Sequence, residues 1–164
     1  MITATCCDAR ARSTDRRRMI ALVQRVRQAT VTVRETVAGA IGPGLLVLVC
    51  AEPADSELQA IKLVDKLLKL RIFSDAAGKM NRSVVDVGGG LLIVSQFTLA
   101  ADVSGGNRPS FTGAAGPVQG RHLYEAVLTT ARARHPEVQA GEFGADMQIA
   151  LINDGPVTIP LRIA

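Results

Sequence analysis

Apolar positions fall into two periods along the chain, and the switch between them marks the elements. From Met19 the blocks are short. MIALVQRV and ATVTVRETV, the latter with Val31 and Val33 alternating with polar neighbours, predict two strands. GAIGPG reads as a turn and LLVLVCA as a buried strand. The period then lengthens. Leu58, Ile61, Val64, Leu68 and Ile72 trace a helical stripe opposite Lys62, Asp65, Lys66 and Lys69, and Ser56 with Gln59 fits a capping box at its start. SVVDV, the Gly88–Gly90 run and LLIVSQFTL predict a hairpin. VQGRHLYEAVLTTARAR predicts a second helix that ends near His135-Pro136. ADMQIALIN and VTIPLRI predict two closing strands, with Gly155-Pro156 as a tight reversal between them.

Strands outnumber helices, and no repeat, low-complexity segment or linker divides residues 19–164. The pattern predicts one α/β domain: a β-rich layered sandwich of two packed sheets, with helices covering one face. Residues 100–116, rich in Gly, Ser and Asn, form the longest irregular stretch, and loops of that length are commonly functional.

Composition refines this picture. Apolar residues make up 48% of the chain, but Trp is absent and Tyr124 is the single tyrosine, so the core must be aliphatic. No apolar run approaches the ~18 residues of a membrane span. Cys6, Cys7 and Cys50 form no CxxC pair and leave an odd thiol, which argues against a zinc or disulfide framework and for a reducing cytoplasm. Five arginines against two aspartates give the first eighteen residues +3 of the chain's formal +4, leaving +1 for residues 19–164. The body therefore lacks the broad basic face of a non-specific nucleic-acid binder. Residues 1–18 have no apolar signal core and are expected to be a disordered extension, with Met19 opening the folded pattern.

The usual catalytic patterns are missing. There is no GxSxG elbow, no GxGxxG or P-loop, and no metal-ligand spacing, so neither metal nor cofactor is expected. His122 and His135 read as surface or capping residues, and Asp75, Asp86 and Asp102 as turn residues. Two segments remain. In IVSQFTL, Ser95, Phe97 and Leu99 share one face of a strand, while Gln96 and Thr98 share the other. The loop that follows offers Arg108 for a phosphate and Phe111 for a ring stack. On the residues alone, these are equally a strand end and an exposed loop. NDGPVT, at Asn153–Thr158, is either a hairpin turn or a rigid backbone device.

Taken together, SQFTL at Ser95–Leu99 and NDGPVT resemble the two signature motifs of D-aminoacyl-tRNA deacylases. VQRVRQATVTV, GLLVLV, KLLKLRIFSDAAGKMNRSVVDVGG, NRPSFTGAA and FGADMQIALINDGPVT resemble that family in the same order, from Met19 almost to the end. Cys50, where the family usually has Gly, Ala100, where a larger residue often follows, and the weakly basic DVSGGN depart from the pattern and leave both motifs intact.

The resemblance implies a cytoplasmic homodimer with a deacylase-like fold. It implies hydrolysis of the ester in D-aminoacyl-tRNA, and in glycyl-tRNA, as a chiral proofreading step. Ser95, Gln96, Phe97 and Thr98 would form the catalytic segment, with backbone N–H groups near Phe97 and Thr98 holding the carbonyl oxygen. Asn153, Gly155, Pro156, Val157 and Thr158 of the other subunit would select chirality through a Gly-cisPro motif. Arg25, Phe143 and Met147 would line the substrate pocket, and the tRNA acceptor end would be the partner. The alternatives are a covalent mechanism on Thr98, a non-catalytic dimeric RNA-binding module and a purely structural dimer.

Overall fold

The computed structural model describes residues 18–164. The expected N-terminal extension therefore lies, Arg18 apart, outside the described residues. The chain folds as β1 (Met19–Val33), β2 (Thr36–Ile41), β3 (Gly44–Cys50), α1 (Glu57–Lys69), β4 (Phe73–Ser74), β5 (Met80–Arg82), β6 (Gly90–Ser95), α2 (Pro117–Arg134), β7 (Val138–Ala140) and β8 (Gln148–Ile163).

The sequence splits β1 in two, but the structure makes it one strand of fifteen residues. The break comes later, at Arg34 and Glu35, whose φ values of 47° and 65° form the two-residue reversal into β2. Both central positions of such a turn need positive φ, and without Gly or Asn the turn leaves little trace in the sequence.

β1 organises the sheet. Its first half pairs antiparallel with β3, its second half with β2, and almost its whole length pairs with β8. β3 continues into β6 and β7 as a parallel run. The predicted hairpin before β6 is corrected here. SVVDV is not a strand but a turn, closed by Asp86 Oδ2 accepting from the Ser83 N–H at 2.7 Å, and β6 is parallel to its neighbour β3. Gly44 and Gly90 open these two strands side by side; a Cβ on Gly44 would fall 2.0 Å from the Gly90 carbonyl oxygen.

Strand alternation feeds two cores. Leu45, Val47 and Val49 of β3, with Met19, Ala21 and Val23 of β1, pack against α1 and α2. Leu46 points the other way and joins Val31, Ile41, Leu92 and Val94 in a second cluster. The layered α/β expectation holds, with both helices on one core, but a single hydrogen-bonded six-stranded sheet supplies both layers.

Helix α1 starts as predicted, with Gln59 Oε1 accepting from the Ser56 N–H at 3.0 Å. Its buried side is Gln59, Ala60, Leu63, Val64 and Leu67, so the predicted stripe was turned too far; Leu58 and Ile61 face solvent. Helix α2 ends at His135, which is buried and donates from Nε2 to the Gly89 carbonyl at 2.7 Å.

Candidate active site

The parallel strands β3 and β6 finish together, with Val49 opposite Ser95. The Gln96 N–H donates to the Val49 carbonyl at 2.8 Å, and the chain then leaves the sheet as a single 3-10 turn, Phe97–Ala100. The Leu99 N–H closes that turn on the Gln96 carbonyl at 3.2 Å. The N–H groups of Phe97 and Thr98 open it, and the opening N–H groups of a helical turn have no partner within it. Gln96 Nε2 donates to Thr98 Oγ1 at 2.5 Å. An amide is a donor here and not a base, so it leaves the hydroxyl's own proton in place.

A cavity of about 670 Å³ opens at these strand ends. Ser95, Gln96 and Phe97 line it together with Cys50, Phe143 and Met147. Of the residues expected in the substrate pocket, Phe143 and Met147 are present, while Arg25 lies elsewhere. Phe111 packs edge-to-face on Phe97, with ring centroids 5.2 Å apart, and forms another wall. Tyr124 closes the base, its hydroxyl lying 2.8 Å from the Ile93 carbonyl and 3.1 Å from that of Gly141; burial pushes its pKa up to about 12. Burial likewise raises the Cys50 thiol to about 11, and its Sγ lies 3.5 Å from the Phe97 carbonyl oxygen.

The second motif is not the tight reversal that its Gly-Pro pair suggested. Strand β8 runs straight through it. Val26 pairs with Asn153 and Gln24 with Thr158, so residues 154–157 bulge out opposite Arg25 alone. Asn153 and Thr158 pin the neck of the bulge: Asn153 Nδ2 donates to Thr158 Oγ1 at 2.9 Å, and Asn153 Oδ1 accepts from the Val157 N–H at 2.8 Å. Val157 packs towards the helical core. Gly155 and Pro156 are exposed at the tip, joined by a cis peptide bond. Gly155 has φ +133°, and a Cβ there would fall 2.8 Å from Val157 Cγ2.

Arg25 supports the bulge from below. Its Nε donates to the Asp154 carbonyl at 3.0 Å and its Nη1 to the Ile72 carbonyl at 2.5 Å. Arg27 Nε pairs with Asp154 Oδ1 at 3.2 Å. Asp154 and Arg27 escaped the sequence reading. Their only signal was one carboxylate beside Gly-Pro and two arginines at alternate positions of β1.

The two motifs of one chain do not meet. Cys50 borders the cavity, whereas Arg25 at the bulge pairs with Leu45, five residues back along β3. At a strand rise of ~3.3 Å per residue this is roughly 16 Å.

Residues 22–162 match the family model described as D-Tyr-tRNA(Tyr) deacylase. The chain belongs to this deacylase family. Deacylases named D-aminoacyl-tRNA deacylase include one from Methylibium petroleiphilum, 73% identical over 145 residues, spanning 88% of this chain and 95% of that protein. Another, from Aromatoleum aromaticum, is 68% identical over the same shares. Among solved structures, one titled c-Myc DNA Unwinding Element Binding Protein superposes with TM-score 0.82 at 41% identity, covering 87% of this chain and 97% of that one. A probable eukaryotic D-amino acid tRNA deacylase superposes with TM-score 0.78 at 17% identity over 89% and 100%, and shows the deacylase fold alone. No helix among the described residues is long and apolar enough to cross a membrane.

Proposed function

We propose that the chain is a homodimeric hydrolase that cleaves the ester of D-aminoacyl-tRNA and of glycyl-tRNA in the cytoplasm, releasing the amino acid and reusable tRNA. In each site the SQFTL segment of one subunit faces the Gly155–Pro156 tip of the other. The observation that carries this reading is the separation of the two motifs within one chain. Each has its own scaffold, and they lie toward opposite ends of β3, so a site using both draws on two chains.

The cavity takes the acyl group and the terminal ribose. Water adds to the ester carbonyl, the oxyanion is held by the N–H groups of Phe97 and Thr98, and the C–O bond to the ribose breaks as that oxygen regains a proton. The neighbouring ribose hydroxyl orients the water. An aminoacyl ester is already activated, so orientation and oxyanion stabilisation supply most of what the reaction needs. The partner's bulge acts by exclusion. Exposed backbone carbonyls at its tip hold the α-amino group and leave no room for an L side chain, whereas hydrogen, as in glycine, passes.

The test is hydrolysis of D- and L-tyrosyl-tRNA, with a mixed dimer as its second arm. Wild-type protein releases D-tyrosine and spares the L-ester; equal rates on both sink the reading. One subunit carries Phe97→Pro and the other Gly155→Arg. Shared sites give one doubly damaged and one intact site, so about half of wild-type activity returns on mixing defective homodimers. No recovery refutes the cross-subunit arrangement.

A further inference from the structure

Residues 71–86 form a unit built on the two-stranded β4–β5 ladder, in which Phe73 pairs with Arg82 and Ser74 with Met80, and Ile72, Phe73 and Val84 anchor it in the helical core. It carries three exposed cations, Arg71, Lys79 and Arg82, and two carboxylates, Asp75 and Asp86. By number this is nearly neutral. By geometry the charges do not pair off, because both carboxylates are held by neutral donors of the unit itself. Asp75 Oδ1 accepts from the N–H groups of Ala77 and Lys79, both at 2.9 Å, and its Oδ2 from Asn81 Nδ2 at 2.8 Å. Asp86 Oδ2 takes the Ser83 N–H at 2.7 Å and the Ser83 hydroxyl at 2.8 Å. These bonds hold both carboxyls below their ordinary pKa, Asp75 first through Asn81 and Asp86 first through the Ser83 N–H.

Two of the cations, by contrast, are fixed by neutral acceptors. Arg71 Nε donates to the Asn81 carbonyl at 2.9 Å and its Nη2 to Asn81 Oδ1 at 2.8 Å, while Arg82 Nη2 donates to the Asp86 carbonyl at 2.5 Å. None of the three forms an ion pair among the described residues. Arg71 and Arg82 also help to lower the Asp86 pKa, so that carboxylate partly offsets them. Three exposed cations, two of them held in place and none in an ion pair among the described residues, are therefore presented on a body of almost no net charge.

The unit is also tied to the bulge. Arg25 bridges the Ile72 carbonyl, at the foot of β4, to the Asp154 carbonyl, at the foot of the Gly155–Pro156 tip. Whatever the tip approaches, residues 71–86 flank. We propose that Arg71, Lys79 and Arg82 bind the backbone phosphates of the tRNA acceptor stem whose 3′ end lies in the partner subunit's cavity. This rests on the cross-subunit site proposed above. It divides the labour within one substrate: one subunit supplies the SQFTL cavity for the ester, and the other supplies both the chiral tip and the cationic clamp for the stem. Phosphate contacts position a nucleic acid without reading its sequence, which suits an enzyme that meets many tRNAs.

Two substrates separate the stem from the ester: D-tyrosyl-tRNA and D-tyrosyl-adenosine, which has no stem. Lys79→Glu/Arg82→Glu should raise KM for the tRNA about tenfold at low salt and flatten its salt dependence by close to one unit of slope per lost phosphate. The adenosine ester should be cleaved with wild-type kcat and KM. Lys79→Ala, whose ammonium has no partner to lose, should shift the tRNA KM in the same direction by about threefold. Unchanged tRNA kinetics in both variants overturns the proposal, as does an equal loss on both substrates in Lys79→Ala.

A mixed dimer assigns the subunit. When the sole intact SQFTL segment is on the chain with the reversed charges, KM should stay at the wild-type value. When the reversed charges are on the Phe97→Pro chain, KM should rise; the opposite pattern refutes the trans contact. A wild-type enzyme that spares both D-esters refutes instead the deacylase reading on which the clamp rests.

Discussion

Arg25 and Asp154 are joined twice: Arg25 Nε donates to the Asp154 backbone carbonyl at 3.0 Å and lies 3.4 Å from its carboxylate. The side chain of Arg25 is only 11% exposed, so its end of the pair is largely screened from water. It fixes the root of the segment proposed to read chirality. Arg25→Lys keeps the charge and loses the fork, which cannot then span the carbonyls of Asp154 and Ile72. Unfolding should become easier by about 1–3 kcal/mol, the cost of leaving part-buried acceptors unpaired. Hydrolysis of L-tyrosyl-tRNA should rise severalfold relative to the D-ester. Retained discrimination with lowered stability would reduce Arg25 to a purely structural brace.

Gly155→Ala tests the tip itself. The new methyl meets Val157 Cγ2 at 2.8 Å and Arg25 Nη2 at 3.0 Å, on a backbone whose φ of +133° disfavours any L side chain. D-ester hydrolysis should fall at least tenfold, with a melting temperature a few degrees lower. Wild-type kinetics in this variant would show that the tip stays clear of the substrate.

Thr98→Ala separates backbone from hydroxyl chemistry. It removes the acceptor of Gln96 Nε2 and leaves both opening N–H groups of the turn in place. Activity should drop by less than about a hundredfold, below the roughly hundred- to thousandfold cost of losing one oxyanion donor. Phe97→Pro should be far worse. Proline is tolerated at the first position of a helical turn but has no N–H to offer an oxyanion. Phe97→Leu controls for the lost ring and should retain most activity. A covalent acyl ester on Thr98, detected by mass spectrometry during turnover, would replace the water mechanism.

Cys50 gives the protein an alkaline weakness. Its thiol is raised from 9.0 to about 11, first by burial, so the folded state keeps a proton that the unfolded chain releases. This contribution is complete below pH 9 and is lost as pH climbs from 9 towards 11, a span of two pH units and about 2–3 kcal/mol. Melting curves under reductant should show a steeper decline for wild type than for Cys50→Ala between those values. Parallel declines would exclude the thiol as the cause.

Much of the layout was legible because it is written in local periods. The strand β3, the strand β6 into SQFTL, the capped start of α1 and the end of α2 at Arg134 all follow from apolar spacing and breakers. The misreadings share a different origin. Arg34-Glu35 turns the chain without a turn residue, and Gly155-Pro156 carries two breakers without turning it. In both cases pairing to β1 overrides local preference. The cavity was half legible. Ser95, Gln96 and Phe97 announced themselves as polar and aromatic residues ending an apolar strand. Cys50, Phe111 and Tyr124 are joined to them only by the fold, and Arg25 lies at the Gly155–Pro156 bulge and not on this cavity because nothing in MIALVQRV shows which strand faces it.

The pairing of β1 with β8 also sets an order of events during synthesis. Met19 lies beside Ile163, so the first strand waits for the last one across nearly the whole chain. Contacts of such long range close late in folding, after local elements have formed. The Gly155–Pro156 tip rides on β8 and so takes shape only after that strand has joined β1. A nascent chain with its SQFTL strand already formed still lacks the final neighbour of β1 and the bulge that β8 carries. On the proposed reading enantiomer discrimination is the last property acquired, and a product truncated before β8 should be cleared as an unfolded protein rather than persist as an indiscriminate esterase.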